Sequence, residues 1–196
     1  MTRAGVLFSG GKDSALAALL LAPHYEVEVV TFASGDGHRL AAVEAAGAAL
    51  GLSWRRASYS DGLIAAAADR IVADGYPNGA ITMVHRAALE ALAREYPVVA
   101  DGTRFDDRVP RLTASEARSL MDRSGCSYVR PLLGLPRAEV ERLAARHLDF
   151  ERGETGRIPN GDYESALRAE LRSRGLDPEP FFPAGHEQSL VVGRKE

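Results

Sequence analysis

The residues best equipped for chemistry crowd into one hexapeptide, Ser9-Gly10-Gly11-Lys12-Asp13-Ser14. Two adjacent glycines let the backbone take angles closed to other residues and turn successive N–H groups toward one point, which suits a phosphate. Lys12 adds a mobile full charge, Ser9 and Ser14 add hydroxyls, and Asp13 adds a carboxylate able to hold a divalent cation against phosphate oxygens. Lys12 also stands out because the chain has only one other lysine, Lys195, against 22 arginines. The commoner phosphate motifs fail here. A Walker A loop needs Gly where Val6 stands and Ser or Thr where Asp13 stands, and G-x-G-x-x-G fails because Gly10 and Gly11 are adjacent with no third glycine at the required offset.

Position for position, the hexapeptide resembles the SGGxDS loop of the PP-loop ATP pyrophosphatase superfamily. At average residue usage this string arises by chance in a chain of this length on the order of once in a hundred thousand. The plainer alternative is a glycine turn capped by Asp13 or Ser14. The resemblance implies cleavage of ATP between the α- and β-phosphates, an adenylated intermediate, and displacement of AMP by a nucleophile. It further implies nucleotide contacts from Phe8, from Ser9 to Ser14, and from Phe32, Ala33 and Ser34, whose backbone would frame the adenine.

A second constellation is Asp101-Gly102-Thr103-Arg104-Phe105-Asp106-Asp107, similar to the G-[HT]-N-x-D-D element of PP-loop enzymes, with Arg104 in place of the usual Asn. Gly102 and Thr103 are expected beside the nucleotide, where Gly102 would permit close approach. Asp13 and Asp107 are the expected Mg²⁺ ligands, and with Lys12 they form the expected catalytic set. The alternative is a pair of aspartates capping a surface turn. The segment from Val129 to Val140 resembles the R-P-L-L-x-x-x-R-x-E-[IV] stretch of lysidine synthetases. It makes Arg130, with Arg104 and Asp106, a candidate contact for an anionic substrate, whereas Arg137 and Glu139 read as solvated helix residues. His85 reads as a packing histidine and His186 as a surface one.

These residues need elements to hold them. Val6-Leu7-Phe8 leads into the loop as a strand, and an Ala/Leu-rich helix follows to Ala22. Further strands are expected at 27–32, 53–59, 97–100 and 128–133, and helices at 38–50, 61–73 with Asp61 as cap, 81–92, 113–124 and from Pro136. Thr113-x-x-Glu116 has the form of a capping box. Strands alternating with helices predict an α/β fold: a Rossmann-like, HUP-type parallel sheet of about five strands with helices on both faces. Residues 1–148 form the expected PP-loop ATP-binding domain. Residues 149–196 form an irregular C-terminal extension, a lid or substrate-contacting tail, with a helix at 163–174, a strand at 188–193 and no catalytic motif.

The bulk properties exclude some functions. A net charge of −3 gives no global attraction to nucleic acid, so RNA binding would need a local patch such as Arg104, Arg108, Arg111, Arg118 and Arg123. Cys126 is the lone cysteine, which excludes an intrachain disulfide or Cys-x-x-Cys site and disfavours sulfur transfer by two cysteines. No apolar run is long enough to cross a membrane, and a cytoplasmic location is expected. The expected function is Mg·ATP-dependent adenylation of an acceptor with release of pyrophosphate, followed by C–N or amide bond formation. A nucleotide-binding module without turnover and a tRNA-modifying ligase are the alternatives. The acceptor is open between a small molecule and a macromolecule, tRNA included, and a separate ammonia-supplying subunit or a second copy of the chain would be compatible partners.

Overall fold

The structure, a computed structural model, describes residues 1–34, 37–154, 157–183 and 187–195. Strands β1 (Arg3–Leu7), β2 (Glu26–Phe32), β3 (Ser53–Ala57), β4 (Val98–Ala100) and β5 (Ser127–Val129) form one parallel sheet in the order β3-β2-β1-β4-β5. Val6 pairs with Val29 on one side and Ala100 on the other. Ala4, Val6, Val29, Val30 and Val99 are wholly buried, as a sheet covered on both faces requires.

The covering helices are α1 (Lys12–Leu21), α2 (Gly37–Ala49), α3 (Leu63–Asp74), α4 (Asn78–Leu92), α5 (Ala114–Ser124), α6 (Arg137–His147) and α7 (Tyr163–Ser173). On one face Ala17 of α1, Val43 of α2 and Val140 of α6 pack with Val6 and Val29. On the other, Leu89 and Leu92 of α4 and Leu120 of α5 pack with Leu7, Val30 and Val99. Because the chain leaves β1 toward β2 and β3, then returns to β4 on the far side of β1, the carboxyl ends of β1 and β4 lie side by side at the switch point. That adjacency brings the Ser9–Ser14 and Asp101–Asp107 segments together.

Some expected boundaries move. The fifth strand stops at Val129, because Pro131 has no N–H for a ladder; Arg130 to Leu133 instead close a turn, with Leu133 N–H donating to the Arg130 carbonyl at 3.2 Å. Helix α3 starts after Gly62, which takes the left-handed conformation at the cap position, so Asp61 is not the cap. Helix α4 begins at Asn78, three residues before the first apolar position of its stripe.

The extension is built into the body. Strand β6 (Leu148–Glu154), which no spacing signal revealed, pairs antiparallel with β7 (Glu187–Arg194). Leu190 and Val191 of β7 enter the α1/α2 core, while Leu167 and Leu171 of α7 pack with Ile71 of α3 and Val84 of α4. His186 lies outside the described residues. No helix among the described residues is long and apolar enough to cross a membrane.

The capping box at α5 is present: the Thr113 hydroxyl accepts from Glu116 N–H at 3.2 Å and the Glu116 carboxylate accepts from Thr113 N–H at 2.8 Å. Thr113→Ala is expected to lower stability by about 1 kcal/mol, read as a lower urea midpoint with an unchanged denaturant slope.

Candidate functional site

The turn after β1 is held open by its serines. The Ser14 hydroxyl donates to the Gly11 carbonyl at 3.0 Å and accepts from Ser9 N–H at 3.3 Å, and the Ser9 hydroxyl accepts from Gly11 N–H at 3.3 Å. Gly10 supplies the left-handed turn at φ 79°. Phe8 is fixed beneath the turn, its carbonyl accepting the Thr31 hydroxyl at 2.7 Å. Gly102 makes the closest approach between the two loops: a Cβ there would lie 2.7 Å from Ser14 N and 2.8 Å from the Asp13 carbonyl carbon. Gly102 thus admits the first turn of α1, whose backbone a side chain there would strike.

Charges alternate across this junction. Lys12 Nζ lies 3.0 Å from Asp13 Oδ1 and 3.1 Å from Glu141 Oε1 on α6. Arg104 spans both loops, with Nη1 at 3.3 Å from Asp13 Oδ2 and Nη2 at 2.5 Å from Asp107 Oδ1. Burial alone would push the Glu141 carboxyl up, but Lys12 and Arg152 outweigh it and hold it below the usual range. Asp106 accepts the Arg137 N–H at 2.9 Å, which caps α6 from across the chain and keeps its own carboxyl low.

The junction opens onto a cleft of about 530 Å³. Phe8, Ser9, Gly11, Lys12, Asp13, Ser14, Phe32, Gly102, Thr103, Arg104 and Asp107 border it. Ala33 and Ser34, with Phe32, border a second cavity of about 250 Å³ lined by Leu40, Tyr59, Ala166 and Ala169. Arg130 is not brought to the cleft. The turn at Pro131 sends it over the Tyr128 ring, 5.2 Å from its centroid, and toward the Leu112 carbonyl. Arg137, read as a solvated residue, borders the cleft instead.

The extension supplies a wall that the motifs did not announce. The Ser189 hydroxyl accepts from Lys12 N–H at 3.1 Å, Val191 N–H donates to the Gly10 carbonyl at 2.8 Å, and Gly161 N–H donates to the Ser9 carbonyl at 2.8 Å. A Cβ on Gly161 would sit 2.7 Å from the Thr31 methyl, so this approach depends on glycine. Asn160, Asp162, Tyr163 and Gln188 border the cleft from the same side.

His85, read as packing, belongs to a buried polar network on the cleft floor. Its Nε2 lies 2.8 Å from Asp101 Oδ2 and its Nδ1 3.0 Å from the Tyr163 hydroxyl. Asp101 also accepts from Thr103 N–H at 2.9 Å, from the Thr103 hydroxyl at 2.6 Å and from the Tyr128 hydroxyl. Burial by itself would raise the Asp101 pKa, but the hydrogen bond and attraction of His85, then Thr103 and Tyr128, hold it at about 2. Burial raises both the Tyr128 and Tyr163 phenols, which keeps them neutral donors.

Mg²⁺ commonly takes one or two carboxylates plus substrate phosphates. Asp13 and Asp107 fit that donor set: one guanidinium reaches both, and among the described residues Asp13 Oδ1 meets only the Lys12 ammonium, which a phosphate could draw away. Among those residues no cluster of three or more His, Cys, Asp or Glu could hold a metal by itself, so substrate oxygens would have to complete the shell.

Comparison with known proteins places these features in context. The model of a family described as "Family of unknown function (DUF7411)" matches residues 2–193. An uncharacterised protein of Methanocaldococcus jannaschii is 39% identical over 192 residues, covering 97% of this chain and 96% of that protein. A crystal structure from the same organism, described as a predicted subunit of tRNA methyltransferase, is 38% identical with a TM-score of 0.90, covering 100% of this chain and 99% of that one. The NH₃-dependent NAD synthetase of Campylobacter jejuni is 16% identical with a TM-score of 0.50, covering 90% of this chain and 79% of its own, a likeness of fold.

Because the folded-state pKa of Asp101 is depressed from 3.8 to about 2, its contribution to stability is present above pH 3.8 and is lost as pH falls through about 2. His85→Leu removes the main partner of this carboxylate. The variant should lose about 3 kcal/mol near neutral pH, and its deficit relative to wild type should shrink as pH falls through about 2, because protonation of Asp101 removes the attraction that His85 supplies. Urea unfolding followed by circular dichroism between pH 2 and 6 checks both; a deficit that is the same at every pH would refute the coupling.

Proposed function

We propose that this chain, which belongs to the DUF7411 family, works as its resemblance to PP-loop ATP pyrophosphatases implies: it binds Mg·ATP in the cleft and adenylates an acceptor with release of pyrophosphate. The observation that carries the reading is the meeting of the Ser9–Ser14 turn and the Asp101–Asp107 loop at the ends of neighbouring strands, bridged by Arg104. Backbone N–H groups and the N-terminus of α1 would receive phosphate oxygens, displacing the 3.3 Å serine contacts that occupy the turn. Lys12 and Arg104 would exchange carboxylate partners for phosphate oxygens and stabilise charge on the leaving pyrophosphate. Mg²⁺, held by Asp13 and Asp107, would supply further neutralisation of that leaving group.

In this reading an acceptor oxygen bonds to the α-phosphorus while the bond to the α,β-bridging oxygen breaks. A nitrogen nucleophile then displaces AMP, giving a C–N bond. Residues 1–148 provide the two phosphate-facing loops, and residues 149–196 complete the walls of the cleft. A cytoplasmic setting accords with ATP use and with the free, buried Cys126.

A tRNA acceptor is the second reading. It is supported by the printed description of the 38% identical structure as a predicted tRNA methyltransferase subunit and by exposed Arg108, Arg111 and Arg118, which make no ion pair among the described residues. Phosphate contacts of that kind would make tRNA retention fall steeply with salt.

Pyrophosphate release from Mg·ATP, assayed with metabolite pools and with tRNA, tests the proposal. Lys12→Ala should lower the rate by about 100-fold or more. ATP binding without pyrophosphate release under every condition would identify a nucleotide-binding module, and unchanged turnover in Lys12→Ala would overturn the assignment.

A further inference from the structure

Asn160 is 5% exposed, and its Oδ1 is buried with no hydrogen-bond partner among the described residues. A buried amide oxygen without a donor is costly, so a built position of this kind calls for a donor from a ligand. Its place in the fold narrows which donor. Asn160 borders both the 530 Å³ cleft that holds the phosphate turn and the 250 Å³ cavity. The next residue, Gly161, is bonded to the Ser9 carbonyl at 2.8 Å, which fixes Asn160 beside the first residue of the turn. On its other side the smaller cavity joins apolar and aromatic Phe32, Leu40, Tyr59 and Ala166 to polar Ser165 and Arg172, a mixed lining suited to the flat face and polar edge of a purine.

In a nucleotide the sugar is what joins base to phosphate, and its 2′- and 3′-hydroxyls are donors. We propose that Asn160 Oδ1 accepts a hydrogen bond from a ribose hydroxyl and thereby makes the site selective for ribonucleotides over deoxyribonucleotides. Gln188 Oε1 is likewise buried without a partner among the described residues, but Gln188 borders only the larger cleft, so it does not stand between base and phosphate. The inference rests on the reading that the cleft takes ATP.

Calorimetric titration of wild type, Asn160→Ala and Asn160→Asp with the magnesium complexes of ATP, 2′-deoxy-ATP and 3′-deoxy-ATP provides the test. Wild type should bind ATP about ten-fold more tightly than at least one deoxy analogue, because the missing hydroxyl leaves the oxygen unsatisfied. Asn160→Ala should bind that analogue and ATP within about two-fold of each other, and Asn160→Asp, which keeps an acceptor, should retain the preference. Equal weakening of all three nucleotides by Asn160→Ala would mean a role toward the base or the fold and would overturn the proposal, as would a wild type that does not discriminate. If wild type binds none of the three, the ATP reading itself falls, an outcome distinct from binding without preference.

Discussion

Two main-chain hydrogen bonds, from Gly161 N–H to the Ser9 carbonyl and from Val191 N–H to the Gly10 carbonyl, hold the turn after β1 from outside the sheet. The turn is glycine-rich and would otherwise be free to sample many conformations, at an entropic cost to any ligand that needs one of them. Fixing two successive carbonyls orients the intervening peptide planes and so aims the N–H groups. The Gly102 contact closes the same turn from the side of β4, where no side chain fits against the Asp13–Ser14 backbone. The turn is thus gripped by three separate segments, and the cleft they enclose exists only because all three are in place.

Electrostatics impose the second constraint. The side chains of Lys12 and Arg104 are only 11% and 14% exposed, so each must be partnered to remain charged. Asp13, Glu141 and Asp107 meet that need without a ligand, and under the proposed function the same cations would trade carboxylate oxygens for phosphate oxygens. Such an exchange costs far less than stripping water from free cations, because the desolvation has already been met by folding.

Motif chemistry and periodicity made much of this legible. The hexapeptide, the alternation of apolar strands with helical stripes, the capping box at Thr113 and the strand at the end of the chain all carry strong local signals. What was hidden depends on distant chain segments. Strand β6 reads Leu-Asp-Phe-Glu-Arg-Gly-Glu, whose charges hide a strand that is mostly exposed. Asn160 and Gln188 are single amides among prolines, glycines and acids, with no spacing to mark them. A linear reading makes Arg130 the substrate contact and Arg137 a solvated helix residue; the turn forced by Pro131 sends Arg130 over Tyr128, while Arg137 borders the cleft. His85 differs from a packing histidine only by what it meets: Asp101 from a neighbouring loop and Tyr163 from the extension.

The bond between Lys12 N–H and the Ser189 hydroxyl joins residues 177 positions apart. Contacts of such long range form only after the entropy of closing a large loop has been met, which places them late in a folding trajectory. The hexapeptide is therefore among the last parts to acquire its working shape. A partly folded chain has the motif but not the pocket, so any ligand that needs the turn's shape waits on completion of the fold.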